Sequence, residues 1–538
     1  MVVSRFRIFR KRCPHLFYNQ LFKSQEPTIK LINIFKDPLA NSVATARTCY
    51  SNKPVEVDSV LSNPEQMFSI AQSTYDAGHH TTLQHTYAQF LLGGVSRHFV
   101  WAVLHDHSFY CSVERSQRFV KMRPESVVEP IFETEKAQEA YKAKTQELFQ
   151  VYEKLTLLLA PIVAEEYYGI FPSREKKDSA KYTDTYSPDV LKKAQEVARY
   201  VLPIGTHSNL YHTIPLVTLL RLNRMCFQNE VPEEAYAIIQ EMVAQVLAVD
   251  PSLAKILQEP LAMGETFEWK HADFNSAICI TKPKDFYTKF DSNFSGDYKY
   301  SKLVSYDPNA QTVLAECFNE LFGYSYDEKD AIKSLMSPAY DRLMSEKMNV
   351  MMHSKLGQCL KNVSYTFKKK LSHTGDSQNK RHRMVSGVRV PMYFPAEPDY
   401  MIPDLIKKSP EALELYCNTL NSLWADIHRN FVGIESPTLF MYLMPNAVQV
   451  RMTESGNLMD LWHKYKMRLC YNAQEEIWRS AVEEVQQIKK VHPYIGHMLL
   501  PPCTIRKMGG VKPFCPEGKR FCGVPVWNYG VDSFQRVI

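Results

Sequence analysis

Apolar and polar positions along this chain mark out its elements before any chemistry is considered. Thr28-Ile29-Lys30-Leu31-Ile32-Asn33-Ile34 is rich in β-branched residues and predicts a strand. Asp37-Pro38 ends it, and a helix through Val43-Ala44-Thr45-Ala46 follows. Phe90-Leu91-Leu92 reads as a buried strand and Val100-Trp101-Ala102-Val103-Leu104 as a buried helix behind it. Residues 135–168, rich in Ala, Glu, Lys and Leu at helical spacing, predict one long helix. A loop over 172–187 and a helix from Ser187 come next. Residues 280–300 are polar, aromatic and aperiodic, include Gly296, and predict a linker. Then the opening recurs. Lys302-Leu303-Val304 and Asp307-Pro308 echo Lys30-Leu31-Ile32 and Asp37-Pro38, about 270 residues on, and such a repeat changes the fold reading. From 457 to 490 helical periodicity is strong, and the Trp462, Tyr465, Leu469 stripe belongs to a core.

The 538 residues are long for one domain and comfortable for two. With 45% apolar and 23% charged residues, the composition is that of a soluble globular protein. A net charge of +6 gives no argument for nucleic acid and is compatible with a small anionic substrate. No apolar run approaches the roughly 18 residues of a membrane span. The 12 cysteines form no dense even framework, which predicts a reducing, cytoplasmic setting. Residues 1–27 carry Arg5, Arg7, Arg10, Lys11 and Arg12 before the first acid, Glu26, and read as a basic extension. In the tail, 496–538, His497, Cys503, Cys515 and Cys522 are four soft ligands that suit zinc. They lack a CxxC pair, so no metal site is assigned.

The densest chemistry lies in 79–119. Glu114, Ser116 and Arg118 stand at i, i+2 and i+4, so an extended segment points all three one way. A carboxylate, a hydroxyl and a guanidinium together suit a nucleotide phosphate. The plain alternative is a surface ion pair between Glu114 and Arg118. The pattern resembles the flavin-dependent thymidylate synthases, whose signature is Arg-His-Arg, two residues, Ser, one residue, Asn-Glu, one residue, Ser, one residue, Arg-Tyr. Glu114, Ser116 and Arg118 match, Phe119 stands for the Tyr and His107 for the central His. Asp106 and Ser108 replace the flanking arginines, Cys111 the first Ser and Val113 the Asn. His79-His80-Thr81-Thr82-Leu83-Gln84-His85, Ser96-Arg97 and Glu196-Val197-Ala198-Arg199-Tyr200-Val201-Leu202-Pro203 resemble further family motifs.

The second half resembles the family at other points. Gln378-Asn379-Lys380-Arg381-His382-Arg383-Met384-Val385-Ser386 matches the signature's start, and then Val388-Arg389-Val390-Pro391 departs from Asn-Glu-x-Ser. Arg451 and Arg468 fall on the family's two nucleotide arginines, where the first half has Asn209 and Cys226. Asn457 and His463 fall on flavin-side positions, and Ala473-Gln474-Glu475-Glu476-Ile477 matches Ala-Gln-x-Glu-Ile.

The resemblance implies an α+β fold in two tandem copies, each an antiparallel sheet with long helices. It places the first copy at 28–280, the linker at 281–300 and the second copy at 301–495. It implies synthesis of dTMP from dUMP, with FAD as cofactor and NADPH and methylenetetrahydrofolate as co-substrates. The family's homotetramer becomes a homodimer of fused pairs. Arg468 and Ser116 are the expected catalytic residues; Glu114, Arg118, Gln378, Arg381 and Arg451 join them on the substrate. Thr81, Arg381, His382, Arg383, Asn457 and His463 are expected on the flavin. Reciprocal loss predicts a site shared between the halves. The alternative is an inactive nucleotide- or flavin-binding scaffold.

Overall fold

A computed structural model describes residues 17–183, 185–226, 232–259, 261, 283–294, 296, 298–390, 392, 397–536 and 538. The basic cluster from Arg5 to Arg12 lies outside them. Strands β1 (Thr28–Ile34), β2 (Tyr87–Ser96), β3 (Cys111–Glu114) and β4 (His207–Pro215) form one antiparallel sheet in the order β1-β2-β4-β3. Strands β5 (Ser301–Tyr306), β6 (Ser364–Ser372), β7 (Ser386–Arg389) and β8 (Gln449–Asn457) repeat that order as β5-β6-β8-β7. The expected α+β fold with two tandem copies is therefore present.

Alternation explains the strands. In β2, Ala88, Phe90 and Leu92 face the core, and in β6 Tyr365, Phe367 and Leu371 do. Lys369 shares their face with no exposure, which requires charge partners. Glu454 and Glu484 supply them, and both also bind Lys464. This buried quartet ties β6 and β8 to two helices, α3 (Leu458–Arg468) and α4 (Glu475–Val491).

Two earlier long helices join the halves. Helix α1 (Glu135–Ile170) is capped by Thr134 and α2 (Pro410–Asn430) by Ser409. They pack together, and Lys144 of α1 meets Asp426 of α2 at 2.6 Å. The halves also exchange backbone hydrogen bonds. Ile204 and Gly205 donate to Met444 and Tyr442, while Asn446 and Ala447 donate to Leu202 and Tyr200. Gly205 is required there, because a Cβ would stand 2.8 Å from the Tyr442 carbonyl oxygen. One hydrophobic core runs through both halves, holding Phe90, Leu155, Trp424 and Tyr442.

Three expectations change. Residues 172–187 are not all loop, since Pro172–Lys181 is helical; the helix buries no residue, so no apolar stripe announced it. The presumed linker contains a helix at Pro283–Asp291. The single periodic run from 457 to 490 is two helices, α3 and α4, separated at 469–474. Among the described residues, no helix is long and apolar enough to cross a membrane.

Candidate functional site

The site is assembled where the end of β3 meets the end of α3. Strand β3 stops at Glu114, and the chain then turns, with Phe119 and Val120 both donating to the Ser116 carbonyl. The extended geometry expected through Arg118 is absent, so alternation does not align the three side chains. Glu114 is buried and binds Arg97 at 2.6 Å and Ser208 at 2.7 Å, with Arg381 3.8 Å away. The simple Glu114–Arg118 ion pair is replaced by separate partners.

Arg118 reaches into the second half. Its Nη2 donates to the Asn472 carbonyl at 2.8 Å and lies 3.0 Å from Glu196, while its Nε is buried without a partner. The Ser116 hydroxyl accepts from the Arg118 backbone N–H at 3.2 Å. Burial alone would raise the Glu196 carboxyl, but Lys193, Arg118, Arg199 and Arg536 hold it down at about 2.

Arg468 ends α3. Its Nε donates to His382 Nε2 at 2.8 Å and its Nη2 to the Gln378 carbonyl at 2.7 Å. Among the described residues it forms no ion pair with a carboxylate. Burial, with Arg381 and Arg118 nearby, pulls its guanidinium down to about 9. Accepting from Arg468 suits a neutral His382, whose pKa burial and Arg468 push well below the usual value. The His463 ring lies 6.0 Å from His382, and its Nδ1 is buried without a partner. The Gln378 side chain donates to Gln474, which also accepts from Arg199 at 3.1 Å.

The Arg381-His382-Arg383 segment is docked on the first half. Ser108 donates to the Arg383 carbonyl at 2.8 Å and Tyr110 to the Lys380 carbonyl at 3.1 Å. The Arg383 guanidinium lies 5.3 Å from the Tyr110 ring centroid and 3.4 Å from the Cys111 sulfur. Arg381 remains nearly half exposed.

Glu114, Ser116, Arg118, Gln378, Arg381, His382, Arg383, His463 and Arg468 thus fall in one neighbourhood of one chain. Arg451 does not join them. Asp291 and Asp399 hold its buried guanidinium through four hydrogen bonds, leaving it no free charge for a phosphate. Asn457 caps α3, accepting from Asp460, at the end opposite Arg468. Thr81 is exposed on the His80–His85 turn. Arg97, Glu196, Arg199, Asn472 and Gln474 were not singled out as site residues. Four of them lie inside or beside matched motifs, which was the available signal; Asn472 contributes through its backbone, which a side-chain pattern does not report.

A second junction is equivalent by strand register. Glu114 faces Leu210 across β3–β4 as Arg389 faces Met452 across β7–β8. There Arg389 binds Asp376 through two hydrogen bonds, 2.6 and 2.9 Å, and Trp101 Nε1 donates to the same carboxylate at 2.8 Å. Lys380 donates to Asp106 at 2.6 Å and lies 4.3 Å from the Trp101 ring centroid.

Comparison with known proteins agrees with this duplication. Flavin-dependent thymidylate synthase from Saccharolobus solfataricus is 26% identical over 216 residues, 38% of this chain and 78% of the relative. The enzyme of that name from Clostridium tetani is 24% identical over 245 residues, 41% and 92% of the two chains. That from Geobacter sulfurreducens is 26% identical over 222 residues, 40% and 90%. A solved UMP/dUMP methylase, PolB from Streptomyces cacaoi bound with 5-Br dUMP, is 15% identical, covering 42% of this chain and 93% of that one, with a TM-score of 0.29. The family model described as thymidylate synthase complementing protein matches residues 30–252 and again 302–494, more than half the chain, which therefore belongs to that family.

Proposed function

We propose that the junction between Ser116–Arg118 and Arg468 binds dUMP and converts it to dTMP, with methylenetetrahydrofolate as carbon donor. The observation that carries this reading is Arg468, a partly buried guanidinium beside two other arginines with no carboxylate paired to it among the described residues. Arg118 and Arg381 have carboxylates of their own, so Arg468 is the uncompensated charge, and it favours an anion or a ring on which negative charge develops. Adding a one-carbon unit at uracil C5 requires the ring to be activated there and the C5 proton to leave. Arg468, held in plane by His382 and the Gln378 carbonyl, is positioned to stabilise charge on the uracil edge. Arg118 and Ser116 hold phosphate or sugar. Glu114, already occupied by Arg97 and Ser208, positions the β3 edge.

The residues present fit a flavin. Arg381 is nearly half exposed, Arg383 is exposed against Tyr110, and His463 presents an unpartnered ring nitrogen next to His382. Arg381 and Arg383 would hold FAD phosphates, with His382 and His463 at the ring system. When bound, reduced flavin supplies the hydride that completes the methyl group, and NADPH restores it. Thr81 and Asn457 are assigned only as candidates to that site. One working site per chain, in a homodimer of fused pairs, is the arrangement this reading favours.

Tritium release from 5-labelled dUMP, measured with FAD, NADPH and methylenetetrahydrofolate, tests the proposal. Release that is lost in Arg468→Ala with flavin retained supports it. A native chain that takes up no FAD and releases no tritium overturns it in favour of a scaffold.

A further inference from the structure

Glu196, which holds Arg118 at 3.0 Å, also lines a cavity of about 90 Å³ that Arg118 itself does not line. Four segments wall it. The helix at Pro188–Ala198 in the first half brings Lys193 and Glu196. Helix α4 of the second half brings Glu475 and Arg479, and the segment 403–408 adds Asp404 and Lys408. The tail brings Arg536, which lies beyond both segments that match the family, 30–252 and 302–494. The tail is packed in place there. Phe534 stacks on Trp478 of α4 with ring centroids 6.4 Å apart, and the Arg536 guanidinium lies 5.8 Å from the same Trp478 ring.

The charges around this cavity do not balance. Glu196 is paired with Arg118, Asp404 and Glu475 with Arg479 at 2.8 and 2.9 Å, and Lys408 with Glu166. Every lining carboxylate is thus already taken. Lys193 and Arg536 are left over, for neither forms an ion pair with a side-chain carboxylate among the described residues. The Arg536 Nε donates to the main-chain oxygen of Ile538 at 3.0 Å, but its Nη1 and Nη2 are buried without a partner. Buried donors left unmet cost free energy, so a group that accepts from both is favoured there. An oxyanion does this, because the guanidinium is a planar fork matched to two oxygens. Lys193 adds a second positive charge, which suits a dianion better than a monoanion. The volume has room for several waters and so for a phosphate. It falls well short of the roughly 300 Å³ at which pockets for larger ligands begin, which leaves no space for a nucleoside.

We infer that this cavity is a regulatory site for free phosphate, held by Arg536 and Lys193, and that phosphate bound there weakens the binding of dUMP. Phosphate binding rests on the cavity alone, and the effect on dUMP rests on the role proposed above for Arg118. Glu196 links the two, touching Arg118 while sharing the cavity with Lys193 and Arg536. A phosphate on Lys193 and Arg536 takes up their charge and repels the Glu196 carboxylate, which is left to Arg118. Held more tightly by Glu196, Arg118 has less to offer the phosphate of dUMP, and the two anions also repel each other. The coupling is reciprocal, so dUMP weakens phosphate by the same factor.

The test is calorimetric titration of the full chain with dUMP, first without phosphate and then with rising inorganic phosphate at constant ionic strength. The apparent dUMP Kd should rise about fivefold or more and then level off. A plateau marks two separate sites, whereas direct competition for Arg118 raises the Kd without limit. In Arg536→Gln and in Lys193→Gln the phosphate effect should all but vanish, with circular dichroism as the folding control. Because either variant can fail to fold, the plateau in the native chain is a test by itself. Inorganic phosphate titrated without dUMP separates this site from the dUMP site. Phosphate bound by the native chain and lost in folded Arg536→Gln, with no dUMP bound by either, supports the phosphate site and overturns the role given to the Arg468 junction. A dUMP Kd that rises without limit, or that rises equally in the native chain and folded Arg536→Gln, overturns the inference. So does a native chain on which phosphate neither binds nor alters the dUMP Kd.

Discussion

At one junction the strand end carries Glu114, facing Arg97 and Ser208; at the register-equivalent place in the other, Arg389 grips Asp376. At the first, Arg468 ends its helix with no carboxylate paired to it among the described residues; at the second, Cys226 occupies that place, its thiol donating to the Asn223 carbonyl. The backbone frame is shared, down to Ser96 and Ser372, which cap the turn after β2 and β6 and bind Glu234 and Glu476. The difference lies in one cation: Arg97, Arg118 and Arg381 have carboxylate partners, and Arg468 has none among the described residues. A junction whose charges are internally paired is a structural joint, whereas one with surplus positive charge has affinity left for a ligand.

The largest expected effect sharpens the structural side. Removing Asp376 leaves Arg389 buried and unpaired, so Asp376→Ala should cost about 3–5 kcal/mol in urea or thermal unfolding. Replacing both partners, Arg389→Met with Asp376→Leu, should recover most of that loss. A negligible loss in Asp376→Ala would mean the pair does not hold the joint.

Next comes the functional side. Arg468→Ala should lower turnover by about 10²–10³-fold, the magnitude of losing one charge-stabilising donor. Tritium release from labelled dUMP measures it, with circular dichroism as the folding control. Since Arg118 reaches Asn472 within one chain, mixing inactive Arg468→Ala and Ser116→Ala chains should not restore activity. Restored activity would move the shared site to a contact between chains.

Arg118→Ala should weaken dUMP by about 1.5–3 kcal/mol, a lost charge-assisted contact, while flavin stays bound. Equilibrium dUMP titration reads this. Paired replacement of Arg381 and Arg383 by Ala should do the reverse, releasing FAD as read by visible absorbance. His107→Ala should retain FAD; if it loses the flavin and the double variant does not, the two halves' roles are exchanged.

The smallest change is one of slope. Burial raises the Glu234 carboxyl from 4.5 to about 8, so the folded chain holds a proton there that the unfolded chain gives up. Its contribution to stability is complete below about pH 4.5 and is lost as pH rises through about 8. Melting temperature followed across that range should therefore fall less steeply in Glu234→Gln than in the native chain. Equal slopes would mean Glu234 is ionised in the fold.

Much of this was legible in the sequence. Strand β5 echoes β1, and the apolar run Phe90-Leu91-Leu92 marked β2 as a buried strand. Arg381-His382-Arg383 and Arg468 were picked out by the resemblance to the family's motifs. What escaped was set by tertiary pairing. The Pro172–Lys181 helix has no buried face to give periodicity. Arg451 carried the right residue in the right place, but Asp291 and Asp399, from distant segments, claim its charge. Asp376 and Arg389 form their pair only because α-helical and strand ends meet in space.

The helix at Pro283–Asp291, standing where a plain tether was expected, delivers Asp291 to Arg451 and Lys370. Covalent joining has a genetic consequence. In a symmetric oligomer of identical chains, one codon change appears at every equivalent interface. In a fused pair, each half has its own codons, so an arginine can enter one interface while the other stays as it was. Asp291, supplied by the joining segment itself, serves Arg451 and Lys370 of the second half alone, so a split of the chain would have to fall before Pro283 to keep that pairing.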